Sequence, residues 1–252
     1  MSEALALCYH AISDDWPCDL AVTSDRFGEQ LKSLLGRGYE AVTFSQLADS
    51  TRPRKAVAIT FDDAFLSVYE DALPTLRELG MVATIFVPTD YPDSNRLMAW
   101  PGLDAWEGLG HGTALRSMSW DQLRDVRELG WEVGSHTCSH PRLTSLDDES
   151  LARELRRSRQ ICSEQLGDCH SLAYPYGDWD ARVATSAREA GYRIAGALSG
   201  RWHRNVTLSY PRIGVYRGDD ARRFALKVSP ATRRARSLRA WGWIERGRAR
   251  RR

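Results

Sequence analysis

Six short apolar runs, separated by stretches of helical period, restrict what this chain can fold into more than any other feature. They are ALALCY (4–9), AVAITF (56–61), MVATIFV (81–87), WEVGS (131–135), SLAY (171–174) and YRIAGAL (192–198). Runs of this length and composition read as buried strands. In the intervals, Phe27, Leu31, Leu34 and Leu35 share one helical face, with Gly36 and Gly38 following as a stop. Ser119 and Gln122 are spaced as a capping box for a helix that ends at Gly130. Leu151, Leu155, Cys162 and Leu166 stripe a third helix closed by Gly167, and Asp178 is placed to cap a fourth that ends near Gly191. Strand and helix alternate, which calls for a mostly parallel sheet with helical crossovers. At 252 residues, the length of one large α/β domain, a closed barrel is a better match than an open sheet.

With 42% hydrophobic and 27% charged residues, the chain has the makings of a full-sized core. No run approaches the roughly 20 apolar residues that a membrane-spanning helix needs. The N-terminal MSEALALCYH is acidic where a secretory signal would be basic, so a cytoplasmic protein is expected. Cys8, Cys18, Cys138, Cys162 and Cys169 are odd in number and irregularly spaced, which predicts reduced thiols rather than a disulfide framework. Neither G-x-G-x-x-G nor a P-loop occurs, which argues against nucleotide-dependent chemistry. Charge is uneven. Residues 233–252 hold nine arginines and one glutamate, a charge of +8 against +2 for the whole chain, so the remainder carries −6. A folded body over 1–230 and a basic, Arg-rich tail over 231–252 are expected.

The residues that follow the strands carry the chemistry. His10 follows the first run, Asp62 and Asp63 the second, His136 and His140 the fourth, and Tyr174 to Gly177 the fifth. In parallel α/β folds the C-terminal strand ends open at one mouth, so these residues should meet there. His136 and His140 are four apart and can reach one ion, although surface or capping histidines share that spacing. A carboxylate completes such a set and leaves positions open for water and substrate. One of Asp62 and Asp63 can ligate while the other stays free. Successive strand residues alternate faces, so both serve one site only if the strand ends there and the chain turns. A helix N-cap accounts for one aspartate, not two. Cys138, between the histidines, is expected to point elsewhere as a buried thiol. The long stretch 88–118, with Trp100, Trp106 and His111, is too long for an idle loop.

In order and spacing, TFDD (60–63), SHTCSH (135–140) and AYPYG (173–177) resemble the motifs of the polysaccharide deacetylase family, the NodB-like domain of carbohydrate esterase family four. The lead-in MSWDQLRDVRELGWEVGSHT resembles that family too, and the resemblance runs from about Leu5 to Ser229. It implies a distorted (β/α) barrel of about seven parallel strands. It implies a metal-dependent hydrolase that removes N-acetyl groups from an amino-sugar-containing saccharide or glycoconjugate. On that resemblance Asp63, His136 and His140 hold one divalent metal. Zinc is the expected ion, with cobalt, nickel or manganese as alternatives. Asp62 is then the general base, and the backbone N–H of Tyr176 donates to the tetrahedral oxyanion. Two alternatives share the site: O-acetyl ester hydrolysis, and a catalytically weak saccharide-binding relative. A free Asp62 beside all three ligands speaks against the second.

Two departures from the family pattern matter. The arginine that usually tethers the base near the start of the third motif is replaced by Ala173, and Arg212 in YPRIG is the candidate substitute. The late-motif histidine that usually serves as general acid is missing from LSYPRIGVYRGDD. CYHAIS (8–13) resembles a family branch that acts on exopolysaccharides and takes its acid from the end of the first strand, so His10 is the candidate acid, with His203 next. Trp100 and Trp106 are candidates either for a sugar-stacking platform or for burial under their loop. The partners expected are a saccharide or lipid-linked saccharide, and no nucleic acid. In the tail, Leu238, Trp241 and Ile244 recur at three-residue spacing beside Trp243. Such an apolar strip among arginines matches peripheral contact with an anionic inner membrane face, a solvated tail being the plain alternative.

Overall fold

The computed structural model describes residues 3–198 and 207–237. Its elements are β1 (Glu3–Tyr9), β2 (Ala11–Ile12), β3 (Ala21–Val22), α1 (Ser24–Gly36), β4 (Glu40–Ala41), β5 (Lys55–Asp62), α2 (Leu73–Glu78), β6 (Thr84–Val87), α3 (Trp120–Glu128), β7 (Glu132–Ser135), α4 (Asp148–Leu166), β8 (Ser171–Ala173), α5 (Ala181–Glu189), β9 (Ile194–Ala197), β10 (Tyr210–Pro211), β11 (Ile213–Gly214), α6 (Ala221–Lys227) and α7 (Pro230–Ser237). All six apolar runs form strands. The sheet order is β10-β9-β8-β7-β6-β5-β1-β11, with β4 on the early half of β5 and β2–β3 a separate pair. Every strand pair among the described residues is parallel.

The two outer members of that order are one segment. β10 pairs with β9, β11 pairs with β1, and only Arg212 separates them. Residues 210–214 thus bridge the first and last long strands and nearly close the sheet into a barrel. Counted as one strand, this segment brings the ring to the seven strands expected.

Alternation along the strands divides the core in two. From β1 and β5, Leu5, Leu7, Val57, Ile59 and Phe61 join the large cluster shared with the helices. Ala6, Ala56 and Ala58 join a small cluster with Phe86, Ala173 and Ile194, which fills the barrel interior. Small residues inside leave room for two long side chains. A Cβ on Gly134 would lie 2.7 Å from the Phe86 ring, and one on Gly196 would lie 2.5 Å from Arg212 Nε. Arg212 passes over the Phe86 ring, 5.3 Å from its centroid.

The helices follow their sequence signatures with a few corrections. Ser119 and Gln122 form the reciprocal capping box of α3, an arrangement worth about 1 kcal/mol. Gly167 ends α4 at φ 88°. Gly36 is the last residue of α1 rather than its stop; Gly38, at φ 75°, makes the turn, and Leu35 is exposed rather than on the buried face. α5 is capped by Asp180, whose carboxylate accepts from Val183 N, and not by Asp178. Asp178 is engaged elsewhere, accepting from Thr144 Oγ1 at 2.7 Å. The expected boundary at 230/231 falls at the first turn of α7, which packs against α6. Leu238, Trp241, Trp243, Ile244 and His203 lie outside the described residues. Among the described residues no helix is long and apolar enough to cross a membrane.

Candidate active site

β5 ends on Asp62, and Asp63 and Ala64 then take the left-handed conformation, with φ of 72° and 54°. That reversal answers the alternation problem, because it turns two successive carboxylates toward one place. Left-handed backbone is uncommon for residues other than glycine and costs about 1–3 kcal/mol each. Thr137 (φ 69°), His140 (φ 62°) and Tyr176 (φ 60°) share it, and all lie on the loops that follow β7 and β8.

The His136–His140 loop is fastened at several points. Thr137 N donates to Ser135 Oγ, and His140 N donates to Thr137 Oγ1. Glu154 on α4 accepts from Cys138 N at 2.8 Å, Ser139 N at 3.2 Å and Ser139 Oγ at 2.8 Å. Cys138 is a buried thiol turned toward α4, as expected, with Sγ 3.7 Å from the Glu154 carbonyl. All five cysteines are unpaired and buried.

His136 Nδ1 donates to the Ala173 carbonyl at 2.8 Å. A carbonyl only accepts, so the proton sits on Nδ1 and Nε2 presents a lone pair. His136 Nε2 and His140 Nε2 each lie 3.4 Å from Asp63 Oδ1. Ligand atoms of Asp63, His136 and His140 all fall within 4.8 Å of one another, and all three residues are buried. Asp63 Oδ1 has no hydrogen-bond partner among the described residues. Burial, then the neighbouring Asp62 charge, push the Asp63 carboxyl well above the usual carboxylate range. Burial, then His136, push His140 down to about 2, and burial also lowers His136. Neutral imidazoles around an unsatisfied carboxylate form a pocket of acceptors, which is the donor set a divalent cation completes. The residues fit a metal.

Asp62 is held differently. Arg212 Nη1 donates to Asp62 Oδ1 at 2.6 Å and Nη2 to Oδ2 at 2.8 Å, while Nη1 also reaches Thr60 Oγ1 at 3.0 Å. Both side chains are buried, with the guanidinium 0% exposed. Burial alone would raise the Asp62 carboxyl; Arg212, with His136, reverses this and holds it well below the carboxylate range. The guanidinium therefore sits where the sequence reading placed a substitute tether, arriving from the barrel seam. Gly196 supplies the space it crosses. Cys8 Sγ also donates to Asp62 Oδ2, at 3.3 Å. His10 stands beside Asp62, and burial pushes it down to about 4.

Tyr176 lies in the turn Pro175–Gly177, its ring 4.7 Å from that of His140, and the Arg142 guanidinium covers it at 4.1 Å. The stretch 88–118 is not idle. It carries short 3₁₀ turns at Asp104–Trp106 and Gly112–Leu115 and is tied by Met118 N and Leu66 N to the chain just after Asp63. Trp100 is buried, stacked on His140 at 4.1 Å and 20°. One of its faces is thus taken by His140, which corrects the open-platform reading. Trp106 packs edge-on against Trp16 and His111. Sequence reasoning missed Glu154, Cys8 and the Trp100–His140 stack; nothing in spacing or composition marks a helix carboxylate that fastens a distant loop. Trp100→Ala should lower stability by about 3–5 kcal/mol and weaken metal binding through His140, whereas Trp100→Phe keeps most of both. Denaturant unfolding and chelator competition measure the two effects, and wild-type metal affinity in the alanine variant would exclude the stack from the site.

A family model described as Polysaccharide deacetylase matches residues 49–195. The YxkH protein of Bacillus subtilis is 26% identical over 194 residues, covering 75% of this chain and 62% of that one. The poly-beta-1,6-N-acetyl-D-glucosamine N-deacetylases of Escherichia coli and Staphylococcus epidermidis are 23% and 24% identical, over 89% and 70% of this chain. This chain spans 38% and 65% of their respective lengths. Among solved structures, the Streptococcus pyogenes deacetylase PplD superposes with a TM-score of 0.74 at 21% identity, covering 90% of this chain and 99% of that one. IcaB from Ammonifex degensii gives 0.73 at 23% identity, covering 90% and 97%. These structures share the barrel, and the matched segment contains Asp62, Asp63, His136, His140 and Tyr176. The chain belongs to the polysaccharide deacetylase family.

Proposed function

We propose that this protein is a metal-dependent N-deacetylase acting on a polymer or glycoconjugate of N-acetylated amino sugar. One observation carries the reading. Two adjacent buried carboxylates have different environments: Asp63 faces the Nε2 atoms of His136 and His140, while Asp62 is bound by Arg212 and stays free of the ligand set. Binding alone would not need the second carboxylate. Asp63, His136 and His140 would hold the ion, which supplies Lewis acidity to the amide carbonyl and to the attacking water. The two nitrogens and one oxygen suit zinc, with cobalt, nickel and manganese as alternatives.

This chain's own groups do the rest. Asp62 accepts the proton of the water that adds to the carbonyl. The Tyr176 N–H stabilises the oxyanion that forms. His10 is neutral at rest, because burial holds it near 4. It therefore serves by taking up a proton beside Asp62 and delivering it to the amine as the carbon–nitrogen bond breaks. The products are acetate and a free amino sugar.

The names of the Escherichia coli and Staphylococcus epidermidis relatives point to β-1,6-linked N-acetylglucosamine as the first substrate to try. Acetate release from β-1,6- and β-1,4-linked N-acetylglucosamine oligomers and from O-acetylated saccharides, with and without chelator, tests the reading. Chelator-sensitive release from the N-acetylated oligomers is expected. Release from O-acetyl esters alone would replace the amide reading with the esterase one. A lipid-linked substrate at a membrane surface is a further proposal, resting on the arginines of 233–252. Sedimentation with anionic vesicles, comparing the full chain with one ending at Ala231, checks the membrane limb; equal binding by both removes it.

A further inference from the structure

β1 and β5 bring a second set of ligand-type atoms beside the first. Cys8 and His10 are two apart and so share a face at the end of β1. The register that pairs Cys8 with Thr60 and Tyr9 with Phe61 puts Asp62 next to His10 on the adjacent strand. Cys8 Sγ, a His10 ring nitrogen and an Asp62 carboxylate oxygen lie within 4.8 Å of one another. None of the three belongs to the Asp63–His136–His140 set. His10 Nδ1 is buried without a hydrogen-bond partner among the described residues. Cys8 has no step in the proposed reaction, yet its thiol points at the carboxylate of the base. A thiol, an imidazole and a carboxylate close enough to share one ion suit a soft or borderline divalent ion and disfavour a hard one.

We propose that Cys8, His10 and Asp62 form a second metal site, selective for thiophilic divalent ions, which fills after the Asp63–His136–His140 site and inhibits the enzyme. Three features set its order and selectivity. Arg212 already grips both oxygens of Asp62, so an incoming ion meets a fixed positive charge as well as the first ion. The thiol must release its proton to the solvent on ligation, which makes binding weaker and proton-coupled. Of the three residues only His10 is partly exposed, so the ion enters past its ring. Inhibition follows because the ion would occupy Asp62 and His10 together; this limb alone rests on the roles proposed for them.

Titration of the reduced, metal-free full chain with Co²⁺, followed by absorption, tests the site. The first equivalent, held by nitrogen and oxygen, should give no sulfur band. The second should add a thiolate-to-cobalt charge-transfer band in the near ultraviolet. Cys8→Ser and Cys8→Ala should abolish that band while still binding the first equivalent, which shows that they are folded. Cys138→Ser should keep both. Saturation at one equivalent without the band, or a band that survives both Cys8 variants, overturns the proposal. In acetate-release assays, excess Zn²⁺ or Cd²⁺ should suppress wild type, while Cys8→Ser holds its own starting rate. A Cys8-dependent band without inhibition upholds the site and removes Asp62 and His10 from the catalytic reading instead.

Discussion

Arg212→Ala should lower kcat/KM for an N-acetylated substrate by about 10²–10⁴, the span expected when a general base loses its function. It should also cost about 3–5 kcal/mol of stability, because Asp62 would remain buried and charged without its partner. Kinetics and denaturant unfolding of the same preparation measure both. Gly196→Ala reaches the same guanidinium indirectly. Its new Cβ would stand 2.5 Å from Arg212 Nε, so the arginine must shift while remaining present. A smaller loss in the same direction is expected. The double change Ala173→Arg with Arg212→Ala puts the arginine back at the position where the family motif carries it. Partial recovery over Arg212→Ala alone would show that the seam arginine substitutes for the missing one. Wild-type turnover in Arg212→Ala would show that Asp62 needs no tether.

His136→Ala and Asp62→Asn should both come close to abolishing activity, for opposite reasons. The first removes one of the two imidazoles facing Asp63 Oδ1, so metal content after dialysis should fall with turnover. The second leaves Asp63, His136 and His140 intact, so the ion should stay while acetate release drops by about 10²–10⁴. Metal analysis on the assayed samples separates the two. Full metal occupancy in His136→Ala would remove that residue from the ligand set. Normal turnover in Asp62→Asn would move the base elsewhere.

Much of this site could be read from one chain because parallel architecture converts strand ends into neighbours. His10, Asp62, Asp63, His136, His140 and Tyr176 each follow an apolar run, and they do converge. What spacing could not show was the left-handed backbone at Asp63 and Ala64: aspartate tolerates that conformation but does not require it, and alanine has no preference for it. The closing segment was invisible as a strand because YPRIG is short and holds both proline and glycine, which disfavour strand interiors. Arg212 could be suggested only because an expected arginine was missing. Its actual route depends on Gly196, whose value lies in the space it leaves. Asp178 and Asp180 compete for one cap, and the choice turns on Thr144, which lies on another loop. Trp100 fits a platform or a buried side chain equally well by position, and its stacking on His140 decides between them.

The bridging strand also sets when the Asp62–Arg212 pair can form. Leu7 and Cys8 pair with Ile213 and Gly214, partners about two hundred positions later in the chain. On a ribosome adding about 5–20 residues per second, the first strand waits many seconds for them. Contacts of such long range close late, since the intervening chain must first be organised. Asp62 emerges early, with the second strand of the ring, but its guanidinium partner arrives with the seventh. A nascent chain, or one interrupted before residue 210, therefore carries both aspartates and both histidines without a tethered base. The buried pair of Asp62 and Arg212 is therefore completed only by the final closure.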